Sequence, residues 1–180
     1  MTPLAHVPTL VLWAASKADT AVLLERLMAE RPPRETWAAL VSARGTSGPE
    51  PGRGVAIARL DGGCVCCTGQ LALRVALTRL LRAARPARLF IELDAPSHLR
   101  AALKLLRGPW LAPVLAIETV VGVVDCRFVG DPAADAGLAS CDVLCVRSGP
   151  PAGPAHGKRV VDFAHATLAA LQGRSVSEPR

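Results

Sequence analysis

The feature of this chain most suited to chemistry is a group of three cysteines, Cys64, Cys66 and Cys67, which follows two glycines. Thiols this close together ionise at low cost only when a cation shares their charge, as a soft or borderline metal ion does. In an extended run, Cys64 and Cys66 point to the same side because side chains alternate, and Cys67 turns toward them at the following Thr68-Gly69. The spacing therefore predicts a three-sulfur site for zinc, copper(I) or cobalt(II), with a fourth ligand from elsewhere.

Other interpretations of the cysteine group stay open at the level of sequence. The thiols are also compatible with redox chemistry or with simple packing, since buried cysteine is common and usually inert. A disulfide between the adjacent Cys66 and Cys67 is disfavoured because the bond would be strained. The spacing differs from the paired Cys-x-x-Cys pattern of a closed zinc finger. A metal site here is therefore expected to be open and exchangeable.

The segments around the cysteines alternate between apolar strands and amphipathic helices. Strands are predicted over residues 7–13, 37–42, 55–60, 88–93, 120–125, 142–146 and 159–163. Helices are predicted over 20–31 with Asp19 as the cap, over 70–84, from Ser97 to near Gly108, and up to Gln172. This order predicts a three-layer, doubly wound α/β fold with a mainly parallel sheet. We expect a single domain over 1–172 and a flexible tail over 173–180.

Four segments, in the same order along the chain, together resemble the nucleotide-binding domain of the CobW-type metal-chaperone GTPases, relatives of HypB and UreG. They are Gly63–Thr68 with its Cys-x-Cys-Cys pattern, Phe90–Pro96, Val120–Asp125 and Ala139–Val146. The resemblance implies a P-loop GTPase fold and a metal, zinc or cobalt, held by Cys64, Cys66 and Cys67. It also implies a client metalloprotein or a CobW-like relative as partner. The family's second, C-terminal domain is expected to be absent.

The resemblance fails where the family binds nucleotide. A phosphate loop reads G-x-x-x-x-G-K-[ST], and its amides, lysine and hydroxyl bind the phosphates and magnesium. Aligning residues 23–27 with the family's first helix places Ala14, Asp19, Thr20 and Ala21 at the key positions. Thr20 thus replaces the lysine, and Asp19 adds a negative charge to a pocket for anions. Residues 147–150 also lack the base-reading N-K-x-D. We therefore expect no GTP hydrolysis, no bound GTP and no catalytic residue.

The composition argues against several other functions. Aromatic residues make up only 3% of the chain, tyrosine is absent, and the arginines behind the net charge of +6 are scattered. This pattern disfavours a nucleic-acid partner, because single-stranded nucleic acid stacks on exposed rings. No run approaches the roughly 18 apolar residues of a membrane helix, and no basic leading segment precedes the first apolar run. With six cysteines, the protein is predicted to be cytoplasmic, with reduced thiols.

These features together predict a protein that handles or senses a transition metal, zinc above others, without GTP hydrolysis. The first alternative is a GTP-binding metallochaperone with an atypical phosphate loop, and the second is an interaction module that binds no metal. The fourth ligand stays open among His6, His98, His156 and His165. Glu92 either faces the site or caps the next helix. Cys126, Cys141 and Cys145 are expected to pack in or beside strands.

Overall fold

A seven-stranded sheet forms the centre of the protein, and every pair of neighbouring strands in it is parallel. The computed structural model describes residues 6–14, 17–42, 49–60, 69–93, 96–125, 137–147 and 158–173. The strands are β1 (Val7–Ala14), β2 (Trp37–Ser42), β3 (Val55–Leu60), β4 (Arg88–Leu93), β5 (Leu115–Asp125), β6 (Val143–Arg147) and β7 (Arg159–Asp162). The helices are α1 (Lys17–Ala29), α2 (Gly69–Ala84), α3 (Pro96–Leu106) and α4 (Leu168–Gln172), with a 3-10 turn at Phe163–His165. The strand order is β3-β2-β4-β1-β5-β6-β7.

Alternating side chains of the strands divide the interior into two cores, one on each face of the sheet. On β1, Val11 and Trp13 belong to the core that α2 and α3 cover. Leu10 and Leu12 belong to the opposite core, which α1 and α4 cover. All four side chains are at most 1% exposed, because a parallel sheet is buried on both faces. The prediction of a three-layer α/β fold with a mainly parallel sheet is confirmed.

Most predicted boundaries lie within one or two residues of those in the structure, but the starts of α1 and β5 differ by more. Helix α1 begins at Lys17, so Asp19 lies in its first turn and the prediction that Asp19 caps the helix is wrong. Strand β5 begins at Leu115, five residues earlier than predicted. A register shift explains the second difference, since Thr9 pairs with Ile117 but Leu10 pairs with Thr119. The irregularity interrupts the apolar pattern by which the start of a strand is recognised.

Gly122 in β5 is packed so closely by neighbouring side chains that even a β-carbon would not fit there without a shift. A β-carbon at this position would lie 2.9 Å from Cys141 Sγ and 3.5 Å from Trp13. We therefore expect Gly122→Ala to lower the free energy of unfolding by about 1–3 kcal/mol, measured by urea titration. The additional change Cys141→Ala should recover part of this loss. Gly52→Ala is the control, because a β-carbon at Gly52 meets nothing within 4 Å; equal losses for both glycines would contradict the packing explanation.

Candidate functional site

The carboxyl edge of the sheet brings together the start of α1 and the ends of β2, β4 and β6. Doubly wound α/β proteins bind their ligands at this edge, outside the carboxyl ends of the strands. Helix α1 directly follows β1 here, which is the place of the phosphate loop in the resemblance. The side chains that meet at this edge therefore decide what the domain can bind.

Glu92 joins three elements of this edge. Its Oε1 accepts a hydrogen bond from Thr20 Oγ1 at 2.5 Å, and its Oε2 accepts one from the Ser42 backbone N–H at 3.3 Å. Thr20 is only 2% exposed and Glu92 is half-buried, so this hydrogen bond is largely shielded from solvent. Glu92 therefore faces this edge of the sheet, which is one of the two roles considered for it; the start of the next helix, which it would cap in the other role, is only partly described. Its carboxylate fixes the starting turn of α1 against the ends of β2 and β4.

Asp19 forms an ion pair with Arg147 at the same edge. The Asp19 carboxylate accepts a hydrogen bond from the Arg147 guanidinium, across 128 residues of sequence. The Asp19 side chain is 11% exposed and that of Arg147 is 55% exposed. Asp19 also lies in the first turn of α1, where the helix dipole favours a negative charge. The aspartate is thus neutralised within the chain, and sequence reasoning missed Arg147 as its partner.

The strength of this pair can be measured by a double-mutant cycle. We expect Asp19→Ala and Arg147→Ala to couple by about 0.5–1 kcal/mol in the free energy of unfolding, because half of the arginine side chain is in water. The coupling should shrink at high salt. Glu50 and Arg59, 3.6 Å apart with a 78% exposed carboxylate, provide the matched control and should couple more weakly. A coupling no larger than that of the control would show that the Asp19 pair is not a fixed part of the site.

Cys64, Cys66 and Cys67 lie outside the described residues. The structure does describe the two elements that the segment 61–68 connects, since β3 ends at Leu60 and α2 begins at Gly69. The sulfur arrangement predicted from the sequence therefore stays a prediction. Within the described ranges, no group of three or more His, Cys, Asp or Glu side chains is placed to hold a metal ion.

The two cysteines that the structure describes are both buried. Burial is the main cause that raises the pKa of the Cys141 thiol to about 12, and it does the same for Cys145. Such thiols stay protonated at neutral pH and are poor metal ligands. The prediction that these cysteines pack in or beside strands is confirmed for Cys145 within β6 and for Cys141 just before it, while Cys126 lies outside the described residues.

The histidines considered as a fourth ligand are also only partly described. His6 and His165 are exposed. His165 Nδ1 lies 3.6 Å from Asp162 Oδ2, and both side chains are largely in water. The side chain of His98 and the whole of His156 lie outside the described residues. As for membranes, none of the helices in the described ranges is long and apolar enough to cross one.

Comparisons with known proteins show the family of the chain and relatives that share its fold. Residues 21–147, more than half of the chain, match the model of the CobW/HypB/UreG nucleotide-binding domain. The chain is 32% identical over 120 residues to the zinc chaperone YeiR of Escherichia coli (strain K12), covering 64% of this chain and 36% of YeiR. The Zn(II)-bound YjiA GTPase from E. coli matches with a TM-score of 0.61 at 13% identity, over 92% of this chain and 61% of YjiA. A Zn(II)-bound triple mutant of YjiA matches with a TM-score of 0.59 at 14% identity, over 95% and 61%.

These matches carry different information. At 13–14% identity the YjiA structures show a shared fold, and the chain spans 36% of YeiR and 61% of YjiA. The family match is more specific, because it includes the cysteine segment 61–68 and both elements beside it. The chain therefore belongs to the CobW/HypB/UreG family, through the nucleotide-binding domain of that family.

Proposed function

We propose that this protein binds zinc as cargo through Cys64, Cys66 and Cys67 and passes it to a client metalloprotein or to a CobW-like relative. The observation that carries the proposal is the Cys-x-Cys-Cys group inside the region that matches the family. YeiR, which is 32% identical, is named a zinc chaperone, and the YjiA GTPase, which has the same fold, is Zn(II)-bound. Thiolate sulfur also suits zinc as a ligand.

The described elements beside the cysteines support this placement. The segment 61–68 leaves β3 at the carboxyl edge of the sheet and leads into the start of α2. This is the edge at which Glu92, Thr20, Asp19 and Arg147 meet. A metal held there would be loaded and released at the binding edge of the fold. Such a site suits a protein that hands its metal on.

We further propose that the protein does not hydrolyse GTP. Thr20, at the position of the phosphate-loop lysine, donates its hydroxyl to Glu92 and brings no positive charge. Asp19 beside it is an anion whose cationic partner, Arg147, is already engaged. Thr20, Asp19 and Arg147 together carry no net positive charge, so they do not attract the phosphates of a magnesium-bound triphosphate as a phosphate-loop lysine does. The family match begins only at residue 21, after these two positions.

Calorimetry with magnesium-GTP tests this part of the proposal. We expect no heat of binding at nucleotide concentrations up to about 1 mM, equivalent to a binding free energy weaker than about 4 kcal/mol, with and without zinc. Phosphate release should equal that of buffer. YjiA, a GTPase of the same fold, serves as the positive control. Micromolar binding or turnover above buffer would instead support the alternative of a metallochaperone GTPase with an atypical phosphate loop.

A further inference from the structure

A groove of about 860 Å³ lies beside the last turns of α2. Its floor is apolar and is formed by Val7, Leu81, Pro86, Leu111 and Val114. Helix α2 has 16 residues, which at 1.5 Å per residue places its end about 24 Å from its start. The groove is therefore separate from the carboxyl edge at which the zinc site is proposed.

The rim of the groove is positively charged. Arg82 and Arg85 line it and are exposed, and none of its nine described lining residues is acidic. Within the described part of the chain, no carboxylate forms an ion pair with either arginine. An apolar floor with unpaired cations at the rim complements a ligand that is apolar on one side and negatively charged beside it.

Trp110 stands at the mouth of the groove with 72% of its surface exposed. The Arg74 guanidinium lies over its ring, with Cζ 5.2 Å from the centroid. This cation–π contact limits the motion of the ring although the ring is in water. Exposed tryptophan and arginine are the residue types that most often dominate the binding energy of protein interfaces.

Arg85 adds an independent observation, because its backbone is in the left-handed region at a φ of 43°. It follows the last residue of α2, a position at which glycine is usual since a β-carbon is unfavourable there. Backbone strain of this kind clusters at ligand-binding and other functional sites. At Arg85 the side chain supplies one of the two charges on the rim.

The exposed surface of α2 extends the groove toward the start of the helix. Leu71 and Val75 are 68% and 39% exposed, and they share one face with Thr78 and Arg82 by their helical spacing. Thr78 and Arg82 line the groove itself. The result is an elongated apolar ridge that runs along a helix and ends in a groove with a basic rim.

We propose that this groove and ridge bind an acidic amphipathic helix of a partner protein. Proteins commonly bind the apolar face of an amphipathic helix in a hydrophobic groove. The arginines select a partner with Glu or Asp beside that face. A second copy of this chain is disfavoured as the occupant, since its net charge of +6 would oppose a basic rim. The inference does not depend on zinc binding.

Tryptophan fluorescence tests the proposal directly. Trp110 is exposed while Trp13 and Trp37 are 1% and 3% exposed, so a surface ligand changes mainly the emission of Trp110. The probe is a synthetic helical peptide without tryptophan, with Leu on one face and Glu on the flanks. We expect saturable binding that shifts the emission to shorter wavelength and weakens with salt. A peptide with Lys in place of Glu should bind at least about tenfold more weakly.

Substitutions distinguish binding in the groove from attraction of the peptide by any exposed positive charge. Arg82→Ala and Arg85→Gly should each weaken binding of the Glu peptide by about five- to tenfold. Arg79→Ala is the matched control, since Arg79 is exposed on the same helix but does not line the groove, and should change binding less than about twofold. Arg85→Gly should also keep or raise the free energy of unfolding, because glycine accepts a positive φ. Loss of binding through misfolding is thereby excluded.

Several outcomes would overturn the inference. These are failure of the Glu peptide to bind, equal binding of the Glu and Lys peptides, or equal effects of Arg79→Ala and Arg82→Ala. Binding to phosphatidylserine vesicles without binding to the peptide would assign the surface to membranes instead. Each measurement is made with zinc-free and with zinc-loaded protein. Failure of the zinc proposal therefore leaves this result unaffected.

Discussion

Zinc affinity is expected to fall by at least about a thousandfold when Cys64, Cys66 and Cys67 are together replaced by serine. The proposal assigns three of four ligands to these thiolates, and a serine hydroxyl does not provide a comparable anionic sulfur at neutral pH. Single substitutions should each give a smaller loss, since two sulfurs remain. The measurement is a competition titration against a chromophoric zinc chelator.

Cys145→Ala is the matched control for this titration. It also removes a thiol, but this thiol is 0% exposed, and burial raises its pKa to about 12. Zinc affinity should therefore stay within about twofold of that of the native protein. Identical titration curves for the native protein and the triple serine variant would remove the metal function. The chain would then be better explained as an interaction module that binds no metal.

Acidification is expected to release the zinc, with a loss of affinity between about ten- and a thousandfold for each pH unit below neutrality. Below the ordinary thiol pKa of about 8.5, every cysteine thiol must lose a proton before it binds zinc as a thiolate. The logarithm of the affinity therefore rises with pH, with a slope equal to the number of protons released. Three ligands give a slope of up to three, and one gives a slope of one.

This release matters because, under the proposal that GTP is not hydrolysed, no nucleotide turnover drives transfer of the metal. Proton competition or direct ligand exchange with a client would then move the metal. The same chelator titration, repeated between about pH 7.5 and about pH 5.5, measures the slope. The values at about pH 7 and about pH 6 are the most informative, because the ordinary thiol pKa lies above both. A flat pH profile would contradict thiolate ligation. Circular dichroism of the zinc-free protein at each pH separates release of zinc from unfolding in acid.

Much of the fold could be predicted from the sequence, because strands and helices are each recognised from a local pattern. Apolar runs bounded by Gly and Pro identify the strands. Helical spacing of apolar residues identifies α2, in which Leu73, Leu77 and Leu80 are all buried. Boundaries were less predictable where tertiary pairing decides them. The start of β5 depends on its pairing with β1 and on a local register shift, which neighbouring residues alone do not reveal.

The candidate site was predictable in its residue types but not in its pairings. Asp19 was recognised as a misplaced charge for a phosphate pocket, yet its partner Arg147 lies 128 residues away. The two meet because β6 lies two strands from β1 in the sheet. Thr20 and Glu92 likewise come together only when β1 and β4 become neighbours. Such contacts depend on strand order, and a single sequence does not specify that order locally.

X-ray absorption at the zinc edge, recorded on protein loaded with one equivalent of zinc, tests the central proposal most directly. We expect three sulfur neighbours at about 2.3 Å and one nitrogen or oxygen neighbour at about 2.0–2.1 Å. The triple serine variant should show no sulfur at this distance. A native spectrum with only nitrogen and oxygen neighbours, or a three-sulfur signal that persists in the variant, would contradict the assignment of Cys64, Cys66 and Cys67.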